Sequence, residues 1–235
     1  MKTKSRILIF SLILMGFVLT FTSSCKKDKD PEPTPTPVAA TVTDVDGNVY
    51  HTVKIGTQVW LVENLKTTKY RNGESIPNIT NGTTWIELTA GAYCDYNNEA
   101  NNSTDYGRLY NWYAVNDSRN IAPTGCHIAT DAEWTTLVNY LGGESVAGLK
   151  LKEAGTTHWQ GASGATNETG FTALPGGNRN DYGTFGYIGS NGVWWSSTSN
   201  NTSYAWGRNI YYDDSNVGIA NRYKHNGLSV RCLKD

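Results

Sequence analysis

The stretch VWWSSTSNNTSYAWGRN, residues 193–209, decides how this chain folds. Side chains of neighbouring strand residues point to opposite faces, so Trp194 and Trp195 cannot share one surface. One is expected in the core, the other under a loop or at solvent. The surrounding sequence continues in strands: 193–198 after an Asn191-Gly192 turn, 204–212, 217–223, and 228–233 after Asn226-Gly227.

Upstream, TDAEWTTLVNYLGG (130–143) reads as the clearest helix. Thr130 and Glu133 form a capping box, and Trp134, Leu137, Val138 and Leu141 recur on one face. Gly142 stops it. A second helix is expected over 106–115, where Leu109, Tyr110, Tyr113 and Ala114 share a face, and a short third near 145–153. Further upstream, short strands alternate around Asp46-Gly47 and Gly56-Thr57, with Val53 and Ile55, then Val59 and Leu61, on common faces. Asp44-x-Asp46-Gly47-Asn48 has the look of a calcium loop. It lacks the glycine spacing and terminal glutamate of an EF-hand, and a hairpin turn is the simpler reading.

Composition agrees with a strand-rich domain. The 235 residues include 24 Gly, 14 Tyr and 8 Trp with only 17% charged residues, so aromatics stand where a helical protein would carry leucine. This favours a loop-rich β or α+β domain with an aromatic core. One domain is expected over 41–235, with no second low-complexity break.

The start of the chain differs. Lys2, Lys4 and Arg6 precede an apolar run over 7–21, shorter than the roughly 20 residues of a spanning helix, so residues 1–24 read as an export signal. Thr22-Ser23-Ser24-Cys25 resembles a bacterial lipobox, which implies that Cys25 is lipidated and anchors the protein to a membrane without crossing it. Residues 25–40, charged and then proline-rich, read as a tether. The Lys/Asp cluster after Cys25 resembles surface-export signals of Bacteroidetes lipoproteins, so an outer-membrane lipoprotein, periplasmic or surface-exposed, is expected. Loss of Lys2, Lys4 and Arg6 with the signal leaves 17 basic against 21 acidic residues, a net of about −4. Such a surface argues against nucleic acid as a partner.

Several phrases in fixed order resemble one family: NVYHTVKIGTQVWLVENLKTTKY (48–70), GRLYNWYAV (107–115), TDAEW (130–134), TNETGFTALPGG (166–177), WWSST (194–198) and GLSVRCLKD (227–235). This is the Fibrobacter succinogenes major paralogous domain family of exported proteins, which brings no established activity. HIATDAEW and SVRCL are more distantly similar to formylglycine-generating-enzyme-type domains. That likeness implies a C-type-lectin-like α+β fold: short twisted antiparallel sheets, two or three helices, long loops and neighbouring terminal strands. The family usually carries Trp and Pro where this chain has Cys126 and Ala129, so packing at the start of the helix is expected to differ.

Three cysteines remain besides Cys25, enough for one disulfide and an odd thiol. The resemblance favours Cys94–Cys232 with Cys126 left over, and Cys126–Cys232 is the alternative. Cys126 beside His127 is poor geometry for a nucleophile and its base, since extended neighbours diverge. Formylglycine-generating chemistry needs a cysteine pair near the chain end, and 194–215 holds none. His51, His127, His158 and His225 lack zinc-ligand spacing, and no nucleophile elbow, phosphate loop or metalloprotease motif occurs. No cofactor or catalytic residue is expected. Asp95, Glu99 and Asp105, in an amide-rich stretch with Asn97, are weak calcium candidates.

What remains is the loop surface over 176–215. Asn178, Arg179 and Asp181 with Asn180 and Tyr182, then Trp206, Arg208 and Asp213 with Tyr211, Tyr212 and Asp214, suit a glycan or protein ligand, because rigid rings beside amides and charges give contact area with directional hydrogen bonds. A surface binding module is the preferred expectation. Alternatives are a carbohydrate-active enzyme using Asp181 and Asp213 as paired carboxylates, and a structural surface protein diversified in its loops.

Overall fold

The computed structural model describes residues 40–161 and 164–235; the export signal, Cys25 and nearly all of the tether lie outside these. At the start, β1 (Thr41–Thr43) and β2 (Val49–Ile55) pair antiparallel. Asp44 closes the turn between them, its carboxylate accepting from the backbone of Asp46 and Asn48, the Asn48 amide and the Tyr50 hydroxyl. Asp46 accepts from Thr67 and Thr68 and pairs with Lys69. Both carboxylates are thus used to shape a hairpin, as the simpler reading has it.

After Gly56, β3 (Gln58–Leu61) pairs with β2 and also with β12 (Cys232–Lys234), which pairs in turn with β6 (Cys126–Ile128). The sheet runs β1-β2-β3-β12-β6, antiparallel throughout, so early and late strands are neighbours. Between β3 and β6 lie α1 (Gly82–Ile86), β4 (Tyr93–Cys94), α2 (Asn102–Tyr106), β5 (Leu109–Tyr110) and α3 (Trp112–Val115). The single helix expected over 106–115 is therefore not formed. Gly107 takes φ 74° in a site where a Cβ would lie 2.7 Å from that of Asn64. Leu109 and Tyr110 then pair with Cys94 and Tyr93, and the Asn111 side chain caps a fresh turn by accepting from Ala114 N–H.

The helix beginning at Thr130 forms as read: α4 (Asp131–Tyr140) carries the complete capping box. α5 (Glu144–Leu151) follows, then the hairpin β7 (Gly176–Arg179) and β8 (Phe185–Ile188), and the ribbon β9 (Asn191–Ser199), β10 (Tyr204–Tyr211) and β11 (Gly218–Tyr223), ordered β11-β10-β9. Asn191-Gly192 is not a turn but the start of β9. The glycine is needed there because a Cβ would meet the Trp194 ring at 2.3 Å. The described residues thus form short antiparallel sheets with few helices, an α+β arrangement.

Trp194 and Trp195 do face opposite ways, yet neither meets solvent. Trp194 joins Trp60, Trp134 and Phe171 beneath α4, with Trp134 6.1 Å away; Trp195 enters the other large cluster with Tyr50, Tyr110 and Val230. β9 is buried on both faces, so each tryptophan has its own core. Their indole N–H groups donate to the Asn64 side chain and the Tyr110 carbonyl, which makes full burial of a polar edge tolerable.

Asn64 is a junction. Its Oδ1 also accepts from Arg231 Nε, and its amide donates to the Tyr106 carbonyl. Arg231 is buried, with Nη1 against the carbonyls of Leu61, Val62 and Phe171 and its guanidinium 4.2 Å from the Phe171 ring. Burial pulls its pKa down to about 9. Carbonyl dipoles rather than a carboxylate hold this charge, and they tie the segments around 61–64, 171, 194 and 231 into one unit.

In place of the expected Cys94–Cys232 bridge, or the Cys126–Cys232 alternative, Cys94, Cys126 and Cys232 are free buried thiols. Cys94 packs in a small cluster with Trp85 and Tyr96, whereas Cys232 and Cys126 lie in the Trp195 cluster. On β12 and β6, Cys232 stands opposite Ile128 and Cys126 opposite Lys234, a diagonal rather than a facing pair. Cys126 and Ala129, at the positions where bulkier residues are usual, are both buried. Burial raises the Cys94 thiol to about 12, so it is neither nucleophilic nor readily oxidised. His127, next to Cys126, points the other way and bridges Glu133 and Asp235 at 2.7 and 2.6 Å.

Candidate ligand-binding groove

The loop surface over 176–215 separates into buried and open parts. Arg179 belongs to the buried part, 1% exposed. Its Nε donates to the Gly183 carbonyl, Nη1 to Ile79 and Nη2 to Thr80, while Trp85 and Phe185 cover its faces at 4.7 and 4.8 Å. Its backbone exchanges hydrogen bonds with Gly227. Arg179 therefore cannot touch a ligand, but it seats the β7–β8 loop on the segments beneath. Gly183 completes the seat: a Cβ there would lie 2.4 Å from the Gly82 carbonyl oxygen.

Arg208 is likewise 1% exposed and engaged with α4. Its Nη2 donates to the Asp131 carboxylate at 2.5 Å, the Asp131 carbonyl and the Thr135 hydroxyl. The expectation that Arg208 forms part of a surface is corrected: it fastens β10 to the helix N-terminus, where the acidic partner also suits the helix dipole. Trp206 is half-buried and sits opposite Asn221. Asp213 is exposed beyond the end of β10, in a loop held by buried Lys152, whose Nζ donates to the carbonyls of Tyr211, Tyr212 and Asp214.

The open part is a groove of about 400 Å³ between the β7–β8 hairpin and the β10–β11 ribbon. One wall carries Asn178, Asn180, Asp181, Tyr182 and Tyr187. Asn180 shapes its tip, its Oδ1 accepting from the backbone of Tyr182 and Thr184 and from the Thr184 hydroxyl, an Asx-type turn that leaves Tyr182 77% exposed. Tyr187, 62% exposed, is held at φ 69°, a conformation unusual for a bulky residue. The other wall carries Tyr204, Asn221, Arg222, Tyr223 and Asn226. Tyr204 and Tyr223 face each other in register with ring centroids 4.5 Å apart, and His225 stacks on Tyr223 at 5.3 Å. The Tyr223 hydroxyl, as acceptor for the neutral Tyr204 phenol, raises the Tyr204 pKa.

Two polar atoms along this groove lack partners. Asn178 is 7% exposed, and neither its Oδ1 nor Arg222 Nε meets a hydrogen-bonding group. In size and lining, apolar rings with a few directed polar groups, the groove resembles small-ligand sites in general.

Of the residues expected to bind, the structure brings Asn178 and Asp181 into one groove, with Trp206 one register step away. Arg179 and Arg208 are buried and Asp213 is remote. β10, eight residues long, separates the Asp181 and Asp213 ends, roughly 25 Å at about 3.3 Å per residue, so the two carboxylates do not form a catalytic pair. Asp95 is buried and ion-paired with Arg108 at 2.5 Å, while Glu99 and Asp105 are exposed. Among the described residues no cluster of three acidic, His or Cys side chains is placed to hold a metal. Sequence reasoning missed Tyr187, Tyr204, Asn221, Arg222, Tyr223 and Asn226. The signal available was the period-2 pattern of 218–223, which puts Asn221 and Tyr223 on one face of a strand.

Among the described residues no helix is long and apolar enough to cross a membrane. A family model described as the Fibrobacter succinogenes major domain matches residues 53–234. No curated protein and no solved structure matches the chain.

Proposed function

We infer a role for this chain from the premise that it belongs to the Fibrobacter succinogenes major domain family. It acts as a non-catalytic binding module of the cell envelope, tethered through a lipidated Cys25 to the outer membrane, that captures a glycan or protein ligand in the tyrosine-lined groove. The observation that carries this is the coincidence, in one groove, of four tyrosines with Asn178, nearly buried and with its Oδ1 unpartnered. A buried polar atom without a partner costs free energy, and a ligand that supplies the partner recovers it.

The finer fold reading, C-type-lectin-like, belongs to the same proposal. Adjacent strands β3 and β12 from opposite ends of the domain, α4 packed on β9 and β10, and the long connection between α5 and β7 support it.

The test is adhesion of cells displaying the protein to surfaces coated with polysaccharides or matrix proteins. Wild type is expected to adhere, and Cys25→Ser and the pair Tyr182→Ala, Tyr223→Ala each to lose adhesion at least tenfold. Adhesion unchanged in the tyrosine pair would contradict the groove assignment.

A further inference from the structure

We infer that the outer edge of β11 docks a second copy of this chain, the two β11 strands pairing antiparallel about a two-fold axis at Asn221 and joining two ribbons into one sheet. This goes beyond ligand capture in the groove and does not depend on it.

β11 pairs only with β10 and packs along no other strand or helix. Lys224 N–H donates to the Ser203 carbonyl, which fixes the parity of the ladder. Residues 218, 220, 222 and 224 turn their backbone groups toward β10, and 219, 221 and 223 turn theirs away. Both ends of the outward row are engaged, Val217 N–H by the Glu144 carbonyl and the Tyr223 carbonyl by Asn226 N–H. Between them, among the described residues, the N–H and C=O of Ile219 and Asn221 and the N–H of Tyr223 meet no partner. The side chains of all three residues are exposed.

Such a row is a template for another strand, and proteins that stay single blunt it with prolines, bulges or charges. The run IANRY (219–223) has no proline and keeps its register with β10 throughout. Its one charged side chain, Arg222, lies back across Gly207, where a Cβ would come within 3.1 Å of its Cγ. Edge strands of the other sheets are four residues or shorter, and the far edge of the ribbon, on β9, is met by Ser229.

The side chains say which strand fits. With the axis at Asn221, residues 219, 221 and 223 stand opposite 223, 221 and 219 of the second copy, so the free backbone groups exchange hydrogen bonds. Ile219 then meets Tyr223 twice, a β-branched side chain against an aromatic one. Arg222 stands opposite Ala220 and Lys224 opposite Gly218, so no like charges face each other directly. The strand carries its own complement.

The experiment is sedimentation of the full-length protein in detergent, with micelles in excess, across a concentration series. It compares wild type with two double variants, Ile219→Asp with Tyr223→Asp and Ile219→Lys with Tyr223→Lys, at positions whose exposure lets the domain fold. Wild type is expected to dimerise reversibly. Each double variant sets like charges opposite one another and should weaken association tenfold or more, and an equal mixture of the two should recover it as a heterodimer. Asn221→Cys should give a disulfide-linked dimer on mild oxidation, whereas Arg222→Cys should not. Wild type that stays monomeric at every concentration would overturn the inference, and binding of an uncharged strand-forming peptide by that monomer, lost in Asn221→Pro, would give the edge to a foreign strand instead. Dimers undiminished in both double variants would also overturn it, by placing the contact elsewhere.

Discussion

The arginines of the last third of the chain occupy two opposite settings. Arg179, Arg208 and Arg231 are buried and held from their guanidinium ends by carbonyls, a hydroxyl or a carboxylate, Arg208 through Nη2 alone with its Nε unpartnered. Arg222, on the ribbon with Arg208, lies at an open groove with its Nε unmet. The same residue type thus serves as an internal fastener in one region and stands at the wall of an open groove in the other. Residue type alone does not mark the open surface; the exposed rings of Tyr182, Tyr187 and Tyr223 do.

Substitutions can break this contrast, and the largest effect is expected at Arg231. Arg231→Ala removes the guanidinium donor from three carbonyls, each costing about 1–3 kcal/mol, and leaves Asn64 Oδ1 with Trp194 alone. Denaturant unfolding should show a loss of at least about 3 kcal/mol; a loss under about 1 kcal/mol would refute the fastener role. Next comes Arg179→Ala, expected to cost about 2 kcal/mol or more and to abolish ligand binding as well, because the β7–β8 loop loses its seat. Tyr182→Ala sharpens the contrast from the other side. It should change stability by no more than about 0.5 kcal/mol, being exposed, while weakening binding strongly.

Thiol titration probes the interior differently. The native protein should show no rapidly reacting thiol among Cys94, Cys126 and Cys232, and three should appear on unfolding. One would indicate a disulfide; four would show that Cys25 is not lipidated.

The smallest effect is pH-dependent. Burial lowers the His127 pKa, but the hydrogen bonds to Asp235 and Glu133 outweigh it and the net shift is upward. A raised folded pKa means the stabilisation is complete below the unfolded value of about 6.5 and fades as pH rises through the folded value. The Glu133 pKa is lowered, with burial opposing and the Thr130 and His127 bonds prevailing, so its share fades as pH falls through its own depressed value. His127→Gln should therefore reduce Tm around pH 5.5–6 and much less at pH 9. His127 is more than a third exposed, so solvent screening keeps the difference within about 1 kcal/mol. Equal loss at both pH values would contradict the charged bridge.

Legibility in the sequence followed the range of the interactions. The capping box at Thr130 and Glu133 is local, spans three residues, and forms as read. The helix expected over 106–115 fails because Leu109 and Tyr110 find strand partners at 93–94 and Gly107 fits only against Asn64, contacts that periodicity does not encode. The opposite facing of Trp194 and Trp195 follows from strand geometry, whereas the burial of both depends on clusters assembled from the whole domain. At the site, Asn178 and Asp181 were legible as polar residues in a tyrosine-bearing loop. Arg208 was not, because its partner Asp131 is 77 residues away and only the packing of α4 on β10 turns a surface-type residue into a buried one.

The central claim is that the tyrosine groove binds and the arginine-fastened interior only supports it. The most direct measurement compares wild type with the double variant Tyr182→Ala, Tyr223→Ala, recording Tm and affinity for the polysaccharides and matrix proteins that wild type adheres to, on the same samples. The account predicts a Tm within a few degrees of wild type and affinity reduced at least tenfold. Affinity retained at wild-type strength in a folded double variant would contradict it.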